Sequence, residues 1–193
     1  MTASYRTPKT PTVWHGDGRE LAVLNHILSL PNLNEIRGKP QAILEEIEKW
    51  SERNQILMII GPERGSTIMD LISETKPKTM VEFGGYIGYS AIKFGSAVKA
   101  VGGQRYLSFE SNAETKYRFD TEPCKPEAAP REIDILFLDH AENLYLTDLK
   151  LCEDLHLLHT GSYVVADNVG SPETGEYVSW VEGKIVVTPW IYN

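Results

Sequence analysis

Val81-Glu82-Phe83-Gly84-Gly85-Tyr86-Ile87-Gly88-Tyr89-Ser90 is a short apolar strand that passes through a glycine turn into a helix carrying Ala91, Ile92 and Phe94. Glycine in such a turn lets a ligand approach the backbone. Around this stretch, after Lys76-Pro77, short β-rich runs alternate with helical ones: TMVEF (79–83), RYLSFE (105–110), IDILFLD (133–139), SYVVAD (162–167) and KIVVT (184–188). Strands that are nearly unbroken in apolar residues and separated by helices predict an α/β fold, with a parallel sheet covered on both faces. Ligands in such folds bind beyond the carboxyl ends of the strands. Upstream, Leu21, Leu24, Ile27 and Leu28 repeat at helical spacing, as do Ile43, Leu44, Ile47 and Trp50, then Ile68, Leu71 and Ile72.

No repeat or low-complexity linker divides the 193 residues, which read as one domain: an extended arm (1–17), N-terminal helices (18–75) and a Rossmann-like core (76–193). A 41% hydrophobic, 24% charged composition supports a sizeable core. The net charge of -8 argues against nucleic acid or anionic lipid as partner, and favours neutral or cationic small molecules. Apolar runs such as Ile56 to Ile60 fall far short of the ~20 residues of a bilayer crossing. The first residues are polar and proline-broken, unlike a signal peptide, so a cytoplasmic location is expected. Neither Cys124 nor Cys152 has zinc or redox spacing, and Cys152, among Leu149, Leu151 and Leu155, is expected to be buried.

The polar residues at the strand ends carry the chemistry. Glu110 stands where a carboxylate accepts the hydroxyls of a ribose. The glycine spacing is G-G-x-x-G rather than G-x-G-x-x-G, and Glu82 would repel a pyrophosphate. A cationic, phosphate-free nucleoside such as S-adenosylmethionine is therefore favoured over NAD. The next two strands end in Asp139-His140 and Asp167-Asn168. Asp139, Asp167 and Asn168 offer hard oxygen ligands suited to Mg²⁺; the competing reading is that they cap helices or shape turns. His140 is expected to hydrogen-bond behind the metal or to pack.

Taken together, the chain resembles the catechol O-methyltransferase family of Mg²⁺- and S-adenosylmethionine-dependent enzymes, with a fungal flavour. The matching text is the LNHIL helix (24–28), LMIIGPERG (57–65), MVEFGGYIGYSA (80–91), YLSFESN (106–112), DILFLDHAENLYLTDLKLCEDL (134–155) and SYVVADNV (162–169). The resemblance implies a class I methyltransferase sheet and a catechol or related vicinal diphenol as substrate. It implies that Met58 and Ile60 line the cofactor pocket, that Glu82, Gly84, Tyr86 and Ser90 hold the amino acid end, and that Glu110 grips the ribose. It places Asp139, Asp167 and Asn168 on the metal, and Ile56, Asn168 and Pro172 by the substrate.

Three departures from the family pattern stand out. The motif Asp-His-x-Lys, whose lysine is the general base, reads Asp139-His140-Ala141-Glu142 here, so Glu142 takes the catalytic position. A carboxylate beside a divalent ion is a poor proton acceptor at neutral pH, and reduced activity is expected. Positions 111–132 hold room for one crossover helix of roughly 13 residues over a strand of ~20 Å. One edge strand is thus expected to be missing, with a weakened adenine pocket and an exposed edge compatible with a monomer or a weak dimer. The C-terminal antiparallel hairpin is expected to be absent too; Glu173, Glu176 and Glu182 do not match its carboxylate, and Trp180 and Trp190 are expected to bury the final segment. The alternative is a degenerate, non-catalytic S-adenosylmethionine-binding relative or splice variant. A nicotinamide dehydrogenase is disfavoured by the lack of a phosphate loop and of a Tyr-x-x-x-Lys spacing.

Overall fold

The computed structural model describes residues 15–111 and 131–182, and in it the run Thr79–Phe83 is an interior strand, β1, with a parallel neighbour on either side. Helices α1 (Arg19–Leu28), α2 (Leu33–Ile36), α3 (Pro40–Arg53) and α4 (Gly61–Thr75) precede it. After it come α5 (Tyr89–Ala100), β2 (Arg105–Phe109), β3 (Ile133–Leu138), α6 (Tyr145–Asp154), β4 (Leu158–Ala166) and α7 (Gly175–Glu182). The sheet order is β2-β1-β3-β4, parallel throughout. The α/β parallel fold expected from the alternating pattern is the one found. Residues 1–14 of the arm, positions 112–130 of the stretch expected to lack a strand, the anticipated strand at 184–188, Trp190 and Cys124 lie outside the described residues.

The chain forms two compact units, Met1–Ile59 and Ile60–Asn193. Helix α4 packs on α5 and belongs to the second unit with the sheet. In the first unit Leu44, Ile47 and Trp50 turn inward from α3, as their spacing predicts, whereas in α1 the buried apolar residue is Val23, and Leu21 and Leu28 of the expected stripe are exposed. Arg19 is buried there at 4% exposure, held 2.7 Å from Asp17 and donating to the Ile56 carbonyl at 2.5 Å. Its guanidinium lowers the Asp17 carboxyl to about 2.

In the second unit the interior strand β3 is apolar on both faces because helices cover both, while the edge strands β2 and β4 keep exposed positions. Leu136 and Leu138 alternate with Ile135 and Phe137, and all four are inaccessible. Phe137 meets Phe94 of α5 edge to face at 5.6 Å, whereas Leu136 and Leu138 join Val81, Tyr145, Leu149 and Tyr177 under α6 and α7. Cys152 packs in that second layer, and burial pushes its thiol up to about 11, the inert state expected of a small core residue. Trp180 joins the same layer, with the Lys150 ammonium 4.1 Å from its ring centre. β4 begins at Leu158, earlier than the run 162–167 suggested, and takes in Gly161 at φ 99°.

Candidate functional site

Register brings the functional residues into one row. Phe83 pairs with Phe109 on one side and Leu138 on the other, and Leu138 pairs with Ala166. The next residue of each strand therefore stands at the same level on the carboxyl edge, in the order Glu110, Gly84, Asp139, Asp167. The ladder continues one step into this row: Gly84 donates to Phe109 O at 2.8 Å, Asp139 to Phe83 O at 2.8 Å and Asp167 to Leu138 O at 2.9 Å. Between β1 and β3 the chain order reverses, which is the switch point where open parallel sheets bind ligands. Gly84 and Asp139 flank that crevice.

Gly84 is required there for two reasons. Its φ is 100°, and a Cβ would lie 2.1 Å from the Asp139 carbonyl oxygen. The turn then continues through Tyr86, itself at φ 44°, to Gly88 at φ 83°, which starts α5. The Tyr86 amide donates to Glu110 Oε2 at 2.7 Å, so the carboxylate expected to grip a ribose also ties down the glycine turn.

Beneath the turn Glu82 is fully covered, its Oε2 accepting from Ser108 Oγ at 2.5 Å while Oε1 has no hydrogen-bond partner. Burial raises its carboxyl above the usual range, against the opposing influence of Ser108, Ser90 and Tyr106. Ser90 itself is 6% exposed in the first turn of α5. Asp139 is pushed well above the ordinary carboxylate range, first by burial and then by the like charges of Asp167, Glu82 and Glu142. Its neighbour His140 bonds Asp148 through Nε2 at 2.8 Å and lies against Phe83 and Tyr145, packed behind the row as expected.

Asn168 follows Asp167 at φ 54° and opens the loop that holds Pro172 in a short 3-10 turn. Thr174, wholly buried, pins that loop by donating to Val169 O at 2.7 Å and Ser171 O at 2.8 Å. Glu142 opens another 3-10 turn, half-buried and close enough to raise Asp139. Ile60 is buried at the start of α4. Met58 and Ile56 belong to the first unit, 42% and 46% exposed.

Sequence reading missed Arg64. Its Nη1 donates to Asp167 Oδ1 and Oδ2 at 2.7 and 2.5 Å and approaches Asn168 Oδ1 at 3.4 Å. The residues are 103 positions apart, so no local spacing announces the contact. Among the described residues no three His, Cys, Asp or Glu side chains group as a metal site, so any such site depends on the Asn168 amide alongside the two aspartates. An open hollow lined by Lys78, Arg105, Arg131, Asp134 and His159 lies at the opposite, amino ends of the strands, away from this row.

The four-stranded parallel sheet with its helices is a Rossmann-like α/β fold that matches class I methyltransferase structures. An SAH-bound methyltransferase of Podospora anserina shares it with a TM-score of 0.53 at 17% identity, over 83% of this chain and 74% of that one. A Staphylococcus aureus protein assigned as a caffeoyl-CoA O-methyltransferase does so at 0.53 and 19% identity, over 86% and 88%. In sequence the chain is similar to catechol O-methyltransferases. It is 26% identical to the catechol O-methyltransferase of Bos taurus over 88% of this chain and 68% of that protein, and 27% identical to that of Mus musculus over 88% and 70%. No family model matches the sequence. Among the described residues no helix is long and apolar enough to cross a membrane.

Proposed function

We propose that the chain is an S-adenosylmethionine- and Mg²⁺-dependent O-methyltransferase acting on a catechol or related vicinal diphenol. The observation that carries this reading is the in-register row of Glu110, Gly84, Asp139 and Asp167 across the switch point. Glu110 and Asp139 sit two strands apart, about 10 Å, with Gly84 between them offering bare backbone. A nucleoside lying over Gly84 would meet a carboxylate at its sugar and a buried acid, Glu82, beneath its amino acid end. The unpartnered Glu82 Oε1 fits an ammonium group and repels a phosphate.

The acidic cluster fits a hard divalent ion. Burial first, and then the like charges of Asp167, Glu82 and Glu142, raise the Asp139 carboxyl, a strain that a bound cation would relieve. Asp139, Asp167 and Asn168 would hold the ion, which when bound acts as a Lewis acid that eases loss of a coordinated hydroxyl proton. Bound S-adenosylmethionine would supply the methyl group, an O–CH₃ bond replacing its S–CH₃ bond and the sulfonium leaving as a neutral thioether. The chain's part is to hold oxygen, methyl carbon and sulfur in line, which rigid strand ends do well. Glu142 stands where the family pattern has a base, and its negative charge opposes phenolate formation.

The Glu142 substitution also favours a second reading, a relative that binds S-adenosylmethionine without methyl transfer. Calorimetric titration with S-adenosylmethionine, with and without Mg²⁺ and catechol, separates the two when methylated product is weighed by mass in the same samples. Binding with Mg²⁺-dependent product is the expected result. Binding without product supports the second reading, and no binding by the folded protein overturns both.

A further inference from the structure

Arg64 reaches the carboxyl edge from the first turn of α4, and a single guanidinium nitrogen meets three oxygens on Asp167 and Asn168. Its charge is also felt by Asp139. Two of the three residues proposed to hold a divalent ion, Asp167 and Asn168, are thus already bonded by one cation from the chain itself. Asp167 is 6% exposed, whereas the Arg64 side chain is 37% exposed and has solvent to swing into. A guanidinium compensates one charge and can only donate hydrogen bonds. While it sits in the cluster, no substrate oxygen can be chelated there.

We propose that Arg64 is a resident, displaceable cation of the Asp139, Asp167 and Asn168 cluster, and that a divalent ion binds by displacing it. This rests on the reading of those three residues as a metal site. Metal binding is then an exchange. The metal-free chain keeps its acidic edge neutralised, and affinity for the ion is lowered by the strength of the arginine contact.

The test uses the full chain and Mn²⁺ as probe, with unbound Mn²⁺ counted by electron paramagnetic resonance. Arg64→Gln is expected to bind Mn²⁺ at least tenfold more tightly than the unaltered protein, with Arg64→Lys between them. In EDTA, Arg64→Gln should melt at a lower temperature than the unaltered chain, and saturating Mn²⁺ should raise its melting temperature by more. Should Arg64→Gln fold only with Mn²⁺ present, that too supports exchange, and Arg64→Lys supplies the affinity comparison. If the unaltered chain binds Mn²⁺ and Arg64→Gln binds no more tightly, the displacement idea is overturned while the metal site stands. If no form binds Mn²⁺, the metal site and the displacement idea fall together. Asp167→Asn in the Arg64→Gln background should abolish binding; retained affinity would place the ion elsewhere and also overturn the proposal.

Discussion

Gly84→Ala is the sharpest test of how the acidic row is held in place. The added methyl would sit 2.1 Å from the Asp139 carbonyl oxygen, 2.5 Å from its carbon and 2.8 Å from the His140 nitrogen, all backbone atoms. Relief requires the ends of β1 and β3 to part by about 1 Å, enough to break the Asp139 amide bond to Phe83. A non-glycine residue at φ 100° adds ~1–2 kcal/mol. With overpacking of ~1–3 kcal/mol and a lost hydrogen bond of ~1 kcal/mol, the expected destabilisation is about 3–6 kcal/mol. Gly88→Ala is the control, since φ is 83° but no atom lies within 4 Å of its Cβ; it should cost only the ~1 kcal/mol of the backbone conformation. Urea unfolding followed by far-ultraviolet circular dichroism measures both, with the slope m checked for constancy. A loss under ~1 kcal/mol at Gly84, or equal losses at the two glycines, would refute the reasoning.

Glu142→Lys should raise methyl transfer, by ~10²-fold or less if it restores a general base, as measured by product mass over time; an unchanged or lower rate in a folded variant contradicts the role given to Glu142. Asp139 has a folded pKa raised above its ordinary 3.8, so the native chain binds its proton more tightly than the unfolded one, and stability falls as pH rises from that value through the raised one. Asp139→Asn in EDTA should flatten this fall in a melting-temperature series, and an unaltered slope would sink the assignment. Thr174→Val removes the hydroxyl donor from the Val169 carbonyl and leaves the Ser171 carbonyl only the Thr174 amide; it should cost about 1–2 kcal/mol in urea unfolding and weaken whatever binds at Asn168.

The strands were legible because parallel strands buried on both faces must be apolar on both, as Ile135 to Leu138 are. The row of Glu110, Asp139 and Asp167 was legible for a related reason: a polar residue ending such a run marks where the sheet meets solvent. What escaped was set by three-dimensional proximity. Arg64 looks like any charged residue of an amphipathic helix until α4 is laid on α5, and nothing near Glu82 in sequence announces Ser108 on the neighbouring strand. The placement of α4 with the sheet was hidden likewise, since helical periodicity reveals that a face is buried but not against what.

The hydrogen bond from the Tyr86 amide to Glu110 makes the two ends of any ligand lying over Gly84 dependent on each other. A sugar hydroxyl that draws on the Glu110 carboxylate alters the grip on a turn that contains a residue at φ 44°, and that turn is what an amino acid end would touch. Thermodynamic reciprocity then requires the reverse effect to be equal. Two half-ligands, a nucleoside and an amino acid, would not bind as independent guests. Each would change the other's affinity by the same factor, and a molecule joining both would read the turn as a single cooperative unit.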